Sequence, residues 1–264
     1  MNTVHLLVLA VVQGLTEFLP VSSSGHLVLA ERLLGLESPG PALELVLHVG
    51  TLGAVCAFYR RRLLHLAGSL LRGRREGLLY ALWVLVSMLP AGLVYAACGD
   101  RIEPLYDAPR AVGALLLANG ALLLLSRAAD RRRGPGRPLG ALRALAMGAG
   151  QALAVLPGIS RSGTSIFAGR LAGLAPADAA EFSFLMSIPA IAGGAILECA
   201  RAGGVPAAEA GQAVPVAALA AAVAVSGLVG WLALKAVVRV LERGAFWTFG
   251  PWCLAAGAAA LALG

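Results

Sequence analysis

Charged side chains are nearly missing from this sequence. Asp, Glu, Lys and Arg make up 13% of its 264 residues while 59% are hydrophobic, against about a quarter charged in an ordinary soluble domain. A water-soluble chain of this length could not cover its surface so sparingly, and no stretch is left for a soluble domain. The four cysteines, Cys56, Cys98, Cys199 and Cys253, stand singly in apolar segments. Their spacing suits neither a metal knuckle nor a disulfide framework, so they read as small core residues. The apolar run Met1–Gln13 has no basic stretch before it and no small-residue cleavage pattern ahead of Glu17, so no removable signal peptide is expected. No Walker-type phosphate loop occurs either.

What the chain has instead is length without polarity. Six runs approach the roughly 17 to 25 residues that a helix needs to cross a hydrocarbon core: Leu43–Tyr59, Leu78–Cys98, Ala111–Leu125, Ala179–Leu197, Val214–Val238 and Phe246–Leu263. The net charge of +7 does not point to nucleic acid, because fifteen of the 21 basic residues fall in three short connections. These are Arg60, Arg61, Arg62, Arg72, Arg74 and Arg75; Arg127, Arg131, Arg132, Arg133, Arg137 and Arg143; and Lys235, Arg239 and Arg243. Short loops rich in Arg and Lys stay cytoplasmic. The sequence therefore predicts one membrane domain over residues 1–264, with membrane lipids around it.

Two further apolar segments are interrupted. Asn2–Leu36 is broken at Pro20-Val21-Ser22-Ser23-Ser24-Gly25, and Leu139–Leu174 at Pro157-Gly158-Ile159-Ser160-Arg161-Ser162-Gly163. With the three basic clusters on one side, the connections Asp100–Arg110 and Glu198–Gln212 fall outside, and the six spans alternate correctly only if each broken segment enters and leaves on one face. The first then dips in from outside and the second from the cytoplasm, as in an inverted-topology repeat. Spacing agrees: Gln13, Pro20 and Ser22-Ser23-Ser24-Gly25 match Gln151, Pro157 and Ser160-Arg161-Ser162-Gly163, allowing a one-residue shift. Glu44 follows Pro20 by 24 residues, as Glu181 follows Pro157. The expected fold is all-α, with six transmembrane helices and two re-entrant hairpins at 2–36 and 139–174, in repeats of about 1–127 and 139–264.

Backbone groups freed by a helix break cannot face lipid, so such breaks survive inside protein or around a wet cavity. Each break is followed by a helix opening in small hydroxyl residues and Gly, and a helix N-terminus attracts anions. Ser22, Ser24, Gly25, Ser160, Ser162, Gly163 and Thr164 are the expected phosphate-binding residues. Arg161 adds a permanently charged planar fork suited to phosphate. Turn chemistry alone explains Ser and Gly in either hairpin; the pairing of the two, with an arginine inside one, favours anion binding. Glu17, four residues after Gln13 on one helix face, binds a divalent metal with Gln13 as a neutral oxygen donor or forms an ion pair with Arg161, two readings that are not exclusive. His26 is the nearby group that titrates near neutrality. It either activates Ser23 as the nucleophile or is itself the nucleophile. Glu44 and Glu181, as repeat mates, are expected to support the hairpins through their freed N–H groups. Glu198, Lys235 and Glu242 read as interfacial residues, as does Arg170, and His48, one turn after Glu44, has a weaker claim.

The run from Gln13-Gly14-Leu15-Thr16-Glu17-Phe18-Leu19-Pro20-Val21-Ser22-Ser23-Ser24-Gly25-His26, with Pro157-Gly158-Ile159-Ser160-Arg161-Ser162-Gly163-Thr164 and Glu181-Phe182-Ser183-Phe184, closely resembles the signatures of the bacterial undecaprenyl-pyrophosphate phosphatases, also called bacitracin-resistance proteins. The resemblance spans nearly the whole chain. It implies an inner-membrane enzyme that dephosphorylates a polyprenyl pyrophosphate lipid at a site open to the outer face, using Mg2+ or Ca2+. It also makes Glu17, Ser23, His26 and Arg161 the catalytic candidates and leaves homo-oligomerisation open. A carrier or flippase of a lipid phosphate or small anion would use the same cradle, but would need no nucleophile.

Overall fold

The computed structural model describes residues 2–36, 41–130, 136–201 and 215–263. The side chains of Glu198 and Cys199, residues Arg131, Arg132 and Arg133, and most of the Glu198–Gln212 connection lie outside this description. Among the described residues the chain is helical throughout, with no strand. In order the helices are α1 (Thr3–Phe18), α2 (Ser23–Leu33), α3 (Pro41–Phe58), α4 (Arg60–Leu71), α5 (Arg75–Ile102), α6 (Pro109–Asp130), α7 (Ala141–Leu153), α8 (Arg161–Leu171), α9 (Pro176–Arg201), α10 (Val216–Glu242) and α11 (Gly250–Leu263). Short 3-10 turns at Glu103–Leu105 and Phe246–Phe249 precede α6 and α11.

Four of the six expected spans are single helices long and apolar enough to cross a bilayer: Arg75–Leu105, Pro109–Ala128, Pro176–Leu197 and Val216–Glu242. The fifth, at Leu43–Tyr59, ends in a bend of 77° between Leu43–Phe58 and Arg60–Leu71. The basic run there, expected as a loop, is the start of helix α4. Its Arg60-Arg61-Arg62 opening cannot continue into hydrocarbon, so the chain turns aside while keeping its backbone bonds inside a helix. The sixth, Phe246–Leu263, divides into a 3-10 turn and the 14-residue α11, shorter than a straight span requires.

In each interrupted segment the two helices pack against one another, α1 on α2 and α7 on α8. α2 and α8 are each 11 residues, roughly 16 Å, about half the hydrocarbon thickness. The hairpins are held by helices from the other half of the chain, α1 by α10 and α7 by α5, and α6 packs on α11 across the same halves. In lipid no hydrophobic force draws helices together, so close backbone approach through small residues does it. A Cβ on Gly148 of α7 would lie 2.4 Å from the Ser87 carbonyl of α5, and one on Gly257 of α11 would lie 2.7 Å from the Gly113 carbonyl of α6. The two breaks themselves touch, since a Cβ on Gly25 would sit 3.2 Å from the Gly158 Cα.

Candidate active site

The first break is built around Ser22. Ser22, three residues past the Leu19 C-cap of α1, caps α2 with φ 72°, the one positive φ outside glycine among the described residues, a left-handed conformation that costs a non-glycine residue about 1 kcal/mol or more. Its Oγ accepts the Gly25 N–H at 3.3 Å and lies 3.2 Å from the Ser24 Oγ. The second break repeats the cap: the Ser160 Oγ accepts the Gly163 N–H at 3.1 Å and lies 3.1 Å from the Ser162 Oγ, while the Thr164 hydroxyl donates to the Ser160 carbonyl at 2.8 Å. The hydroxyls of Ser22, Ser160 and Thr164 therefore serve local geometry, as N-cap serines and back-bonded threonines do. What each break offers a ligand is the N–H groups of the first helical residues. Those of Ser23, Ser24 and Ser162 have no acceptor among the described residues.

Between the breaks lies one buried carboxylate. Glu17, 7% exposed at the end of α1, receives Nη2 of Arg161 on Oε1. Its Oε2 accepts from the Ser23 hydroxyl at 2.8 Å and from Gln13 Nε2 at 3.1 Å. The ion-pair alternative for Glu17 is thus the arrangement in the structure, and it joins the two hairpins directly. Two buried polar atoms nearby have no partner among the described residues, Nη1 of Arg161 and Oε1 of Gln13. A buried, unpaired polar atom is costly, and these two, one donor and one acceptor, suit a phosphate oxygen and a cation respectively. Among the described residues no group of three or more His, Cys, Asp or Glu side chains gathers anywhere, so an all-protein metal cage is absent there. Gln13 Oε1 and Glu17 fit the smaller share of ligands that Mg2+ takes from protein when phosphates and water complete its shell.

His26 is not bonded to Ser23, whose hydroxyl goes to Glu17 instead. The His26 Nδ1 faces the Ser22 carbonyl at 2.8 Å, and its Nε2 lies 2.8 Å from Trp252 Nε1. A carbonyl only accepts and an indole N–H only donates, so this histidine is the neutral form with its hydrogen on Nδ1 and its Nε2 lone pair toward Trp252. The two rings stack, with centroids 6.1 Å apart.

Three partners escaped the sequence reading. His48 of α3 lies with Nε2 3.5 Å from Glu17 Oε2 and Nδ1 2.7 Å from the Glu44 carbonyl; its separation from Glu17 along the chain hid the pairing. Asn119, fully buried in α6, bonds both breaks. A lone Asn inside the apolar run of α6 was the signal that could have found it. Trp252 gave no such signal. Glu181 needs correcting: it accepts from Arg62 Nε at 2.9 Å, and Arg62 also reaches Glu76 at 2.9 Å. The guanidinium at the bend offers a stronger partner than backbone N–H groups, so Glu181 ties α9 to α4 rather than bracing a hairpin. Glu44 stands beside His48, whose ring bonds its carbonyl. Arg170 is buried and donates to the Leu174 carbonyl at 2.6 Å, so it closes its own helix end and is not interfacial.

Helices long enough to cross a bilayer, hairpins broken among them, and a carboxylate and guanidinium buried where the breaks meet define a polytopic membrane protein with an anion-suited polar centre. The family model described as bacitracin resistance protein BacA matches residues 6–259, and the chain belongs to that family. It is similar to curated proteins named undecaprenyl-diphosphatase. The one from Desulfosudis oleivorans is 38% identical over 278 residues, covering 100% of this chain and 99% of the relative. The one from Desulforudis audaxviator is 44% identical over 204 residues, covering 75% and 76%, and the one from Rubrobacter xylanophilus is 37% identical, covering 97% and 96%.

Proposed function

We propose that the chain hydrolyses undecaprenyl diphosphate to undecaprenyl phosphate and inorganic phosphate, recycling the lipid carrier for cell-wall synthesis. The observation that carries this reading is the meeting of both hairpins on Glu17, with Nη1 of Arg161 and the N–H groups of Ser23, Ser24 and Ser162 left to receive an anion. The diphosphate spans the starts of α2 and α8 with its terminal phosphate beside Ser23, where backbone N–H groups and the Arg161 guanidinium stabilise charge as it spreads over the equatorial oxygens.

Ser23, already hydrogen-bonded to Glu17, is the nucleophile. Its Oγ–P bond forms as the bond from the terminal phosphorus to the bridging oxygen breaks; the hydroxyl proton passes to the Glu17 carboxylate and undecaprenyl phosphate departs. Water then attacks the phosphorus of the phosphoserine as the Oγ–P bond breaks, the His26 Nε2 lone pair taking the water's proton while Glu17 returns its proton to the Ser23 oxygen, and inorganic phosphate leaves. Gln13 and Glu17 would hold a divalent cation, Mg2+ or Ca2+, which when bound neutralises charge on the leaving group. In the rival route His26 attacks through the same Nε2.

The six-span, two-hairpin inverted repeat is part of this reading. It is supported by the matched Ser, Ser and Gly caps and by the crossed packing of α1 on α10 and α7 on α5. Sidedness follows. The Arg62 to Glu181 bond and the Arg137 N–H to Gly173 carbonyl bond gather the basic ends of α4 and α7 with the open end of the second hairpin. That side is cytoplasmic by the Arg and Lys rule, so the first hairpin opens outward, to the periplasmic face of an inner membrane.

The test is phosphate release from a polyprenyl diphosphate by the purified protein with a divalent cation. Acid treatment of trapped enzyme separates the routes: an acid-stable phosphoserine supports Ser23, and an acid-labile phosphohistidine supports His26. Lipid movement across vesicles without phosphate release would replace the whole proposal with a carrier.

A further inference from the structure

Asn119 belongs to neither hairpin, yet its side chain holds both. It sits midway along α6 with no exposure, its Nδ2 donating to the Pro20 carbonyl at 3.0 Å and its Oδ1 accepting the Ser160 N–H at 3.0 Å. The amide can face only one way, because the carbonyl only accepts and the N–H only donates. A second contact from Nδ2 reaches the Cys253 Sγ of α11 at 3.3 Å. One freed backbone group of each break is thereby satisfied by a single side chain, where either left alone in hydrocarbon would cost several kcal/mol.

The other links between the breaks differ in kind. Arg161 and Glu17 face the polar centre and must share their charges with whatever enters it. The Ser162 hydroxyl reaches the Leu19 carbonyl only at 3.4 Å. Asn119 grips the backbone of both breaks without using any group that the proposed chemistry consumes. Pro20 lies three residues before Ser23, and Ser160 is the cap of α8 itself, so the span of one amide group fixes how far apart the two helix starts stand.

We infer that Asn119 is a positioning residue that sets the separation of the two anion-binding helix starts to suit a diphosphate. This rests on the reading of the site as a diphosphate cradle. A single phosphate needs one helix start, and a diphosphate needs both at the right distance, so Asn119 governs the preference between the two.

The experiment is calorimetric titration of the purified full-length protein with methylenediphosphonate and with inorganic phosphate. Wild type is expected to bind the diphosphonate at least about tenfold more tightly than phosphate, a difference of about 1.4 kcal/mol. N119A is expected to lose that preference while its affinity for phosphate stays within about twofold, whatever happens to its melting temperature. N119D, which keeps an acceptor for Ser160 but has no donor for Pro20, is expected to lose part of the preference and serves if N119A does not fold. C253A removes the sulfur's contacts with Asn119 Nδ2 and, at 3.9 Å, with the Pro20 carbonyl, leaves both Asn119 bonds to the breaks in place, and is expected to keep the full preference. An unchanged ratio in N119A or N119D overturns the inference and leaves the site reading standing. No preference in wild type overturns both.

Discussion

The two hairpins share a frame and divide the chemistry. Each opens its second helix with a capping serine, a serine two residues on and a glycine three residues on, and each of these helices is 11 residues long. The first, however, carries the acid, the hydroxyl proposed as nucleophile and the imidazole, while the second brings the guanidinium. The first also holds Ser22 at φ 72°, whereas Ser160 is extended at φ −82°. In the proposed inverted repeat the two helix starts both face the anion, and differences at a few positions assign them different work. Backbone strain has collected on the half that bears the proposed nucleophile, as it does at functional sites generally.

This division can be broken at its strongest point first. Arg161→Ala removes the second hairpin's only charge on the centre and leaves Glu17 buried without its partner; phosphate release is expected to fall on the order of 10²–10³-fold or more, the loss seen when a transition-state charge donor is removed. On the first hairpin, Ser23→Ala is expected to abolish formation of the phosphoenzyme, while His26→Ala slows its hydrolysis by about 10²-fold or more, so that rapid-quench measurements find the intermediate accumulating. A phosphoenzyme in Ser23→Ala would reverse the two roles.

The cap residues give a smaller contrast with opposite signs. Ser22→Gly loses a cap worth only a few tenths of a kcal/mol against glycine and releases about 1 kcal/mol of left-handed strain, so it is expected to hold or raise the thermal midpoint in detergent. Ser160→Gly has no strain to release and is expected to cost about 0.5–1 kcal/mol. Equal effects at the two positions would mean that the strain at Ser22 is not stored in the folded protein. Smallest of all, Glu181→Gln is expected to leave turnover within about twofold, because the half-exposed pair with Arg62 lies among solvated charges. A loss comparable to that of Arg161→Ala would return Glu181 to the support of the hairpin.

Much of this was legible in the chain. The breaks at Pro20 and Pro157 announce themselves through residues adjacent in sequence, because helix interruption and N-capping are local events, and the Glu17 to Arg161 pairing follows from the cost of leaving either charge alone in lipid. His48, Asn119 and Trp252 reach the centre from α3, α6 and α11, and no local pattern reports which face of a distant helix turns inward. The same limit explains Glu181. Its spacing from Pro157 matched that of Glu44 from Pro20, but spacing could not show that the chain bends at Tyr59 and swings Arg62 within reach. The bend likewise turned an expected basic loop into a helix.

Trp252, 60% exposed on α11, gives its indole hydrogen to the nitrogen that the proposed mechanism uses as a base. Occupancy of the centre and the surroundings of this one fluorophore are therefore coupled, and the enzyme carries its own optical reporter: emission from one of its four tryptophans changes as the histidine changes partners, with no label added.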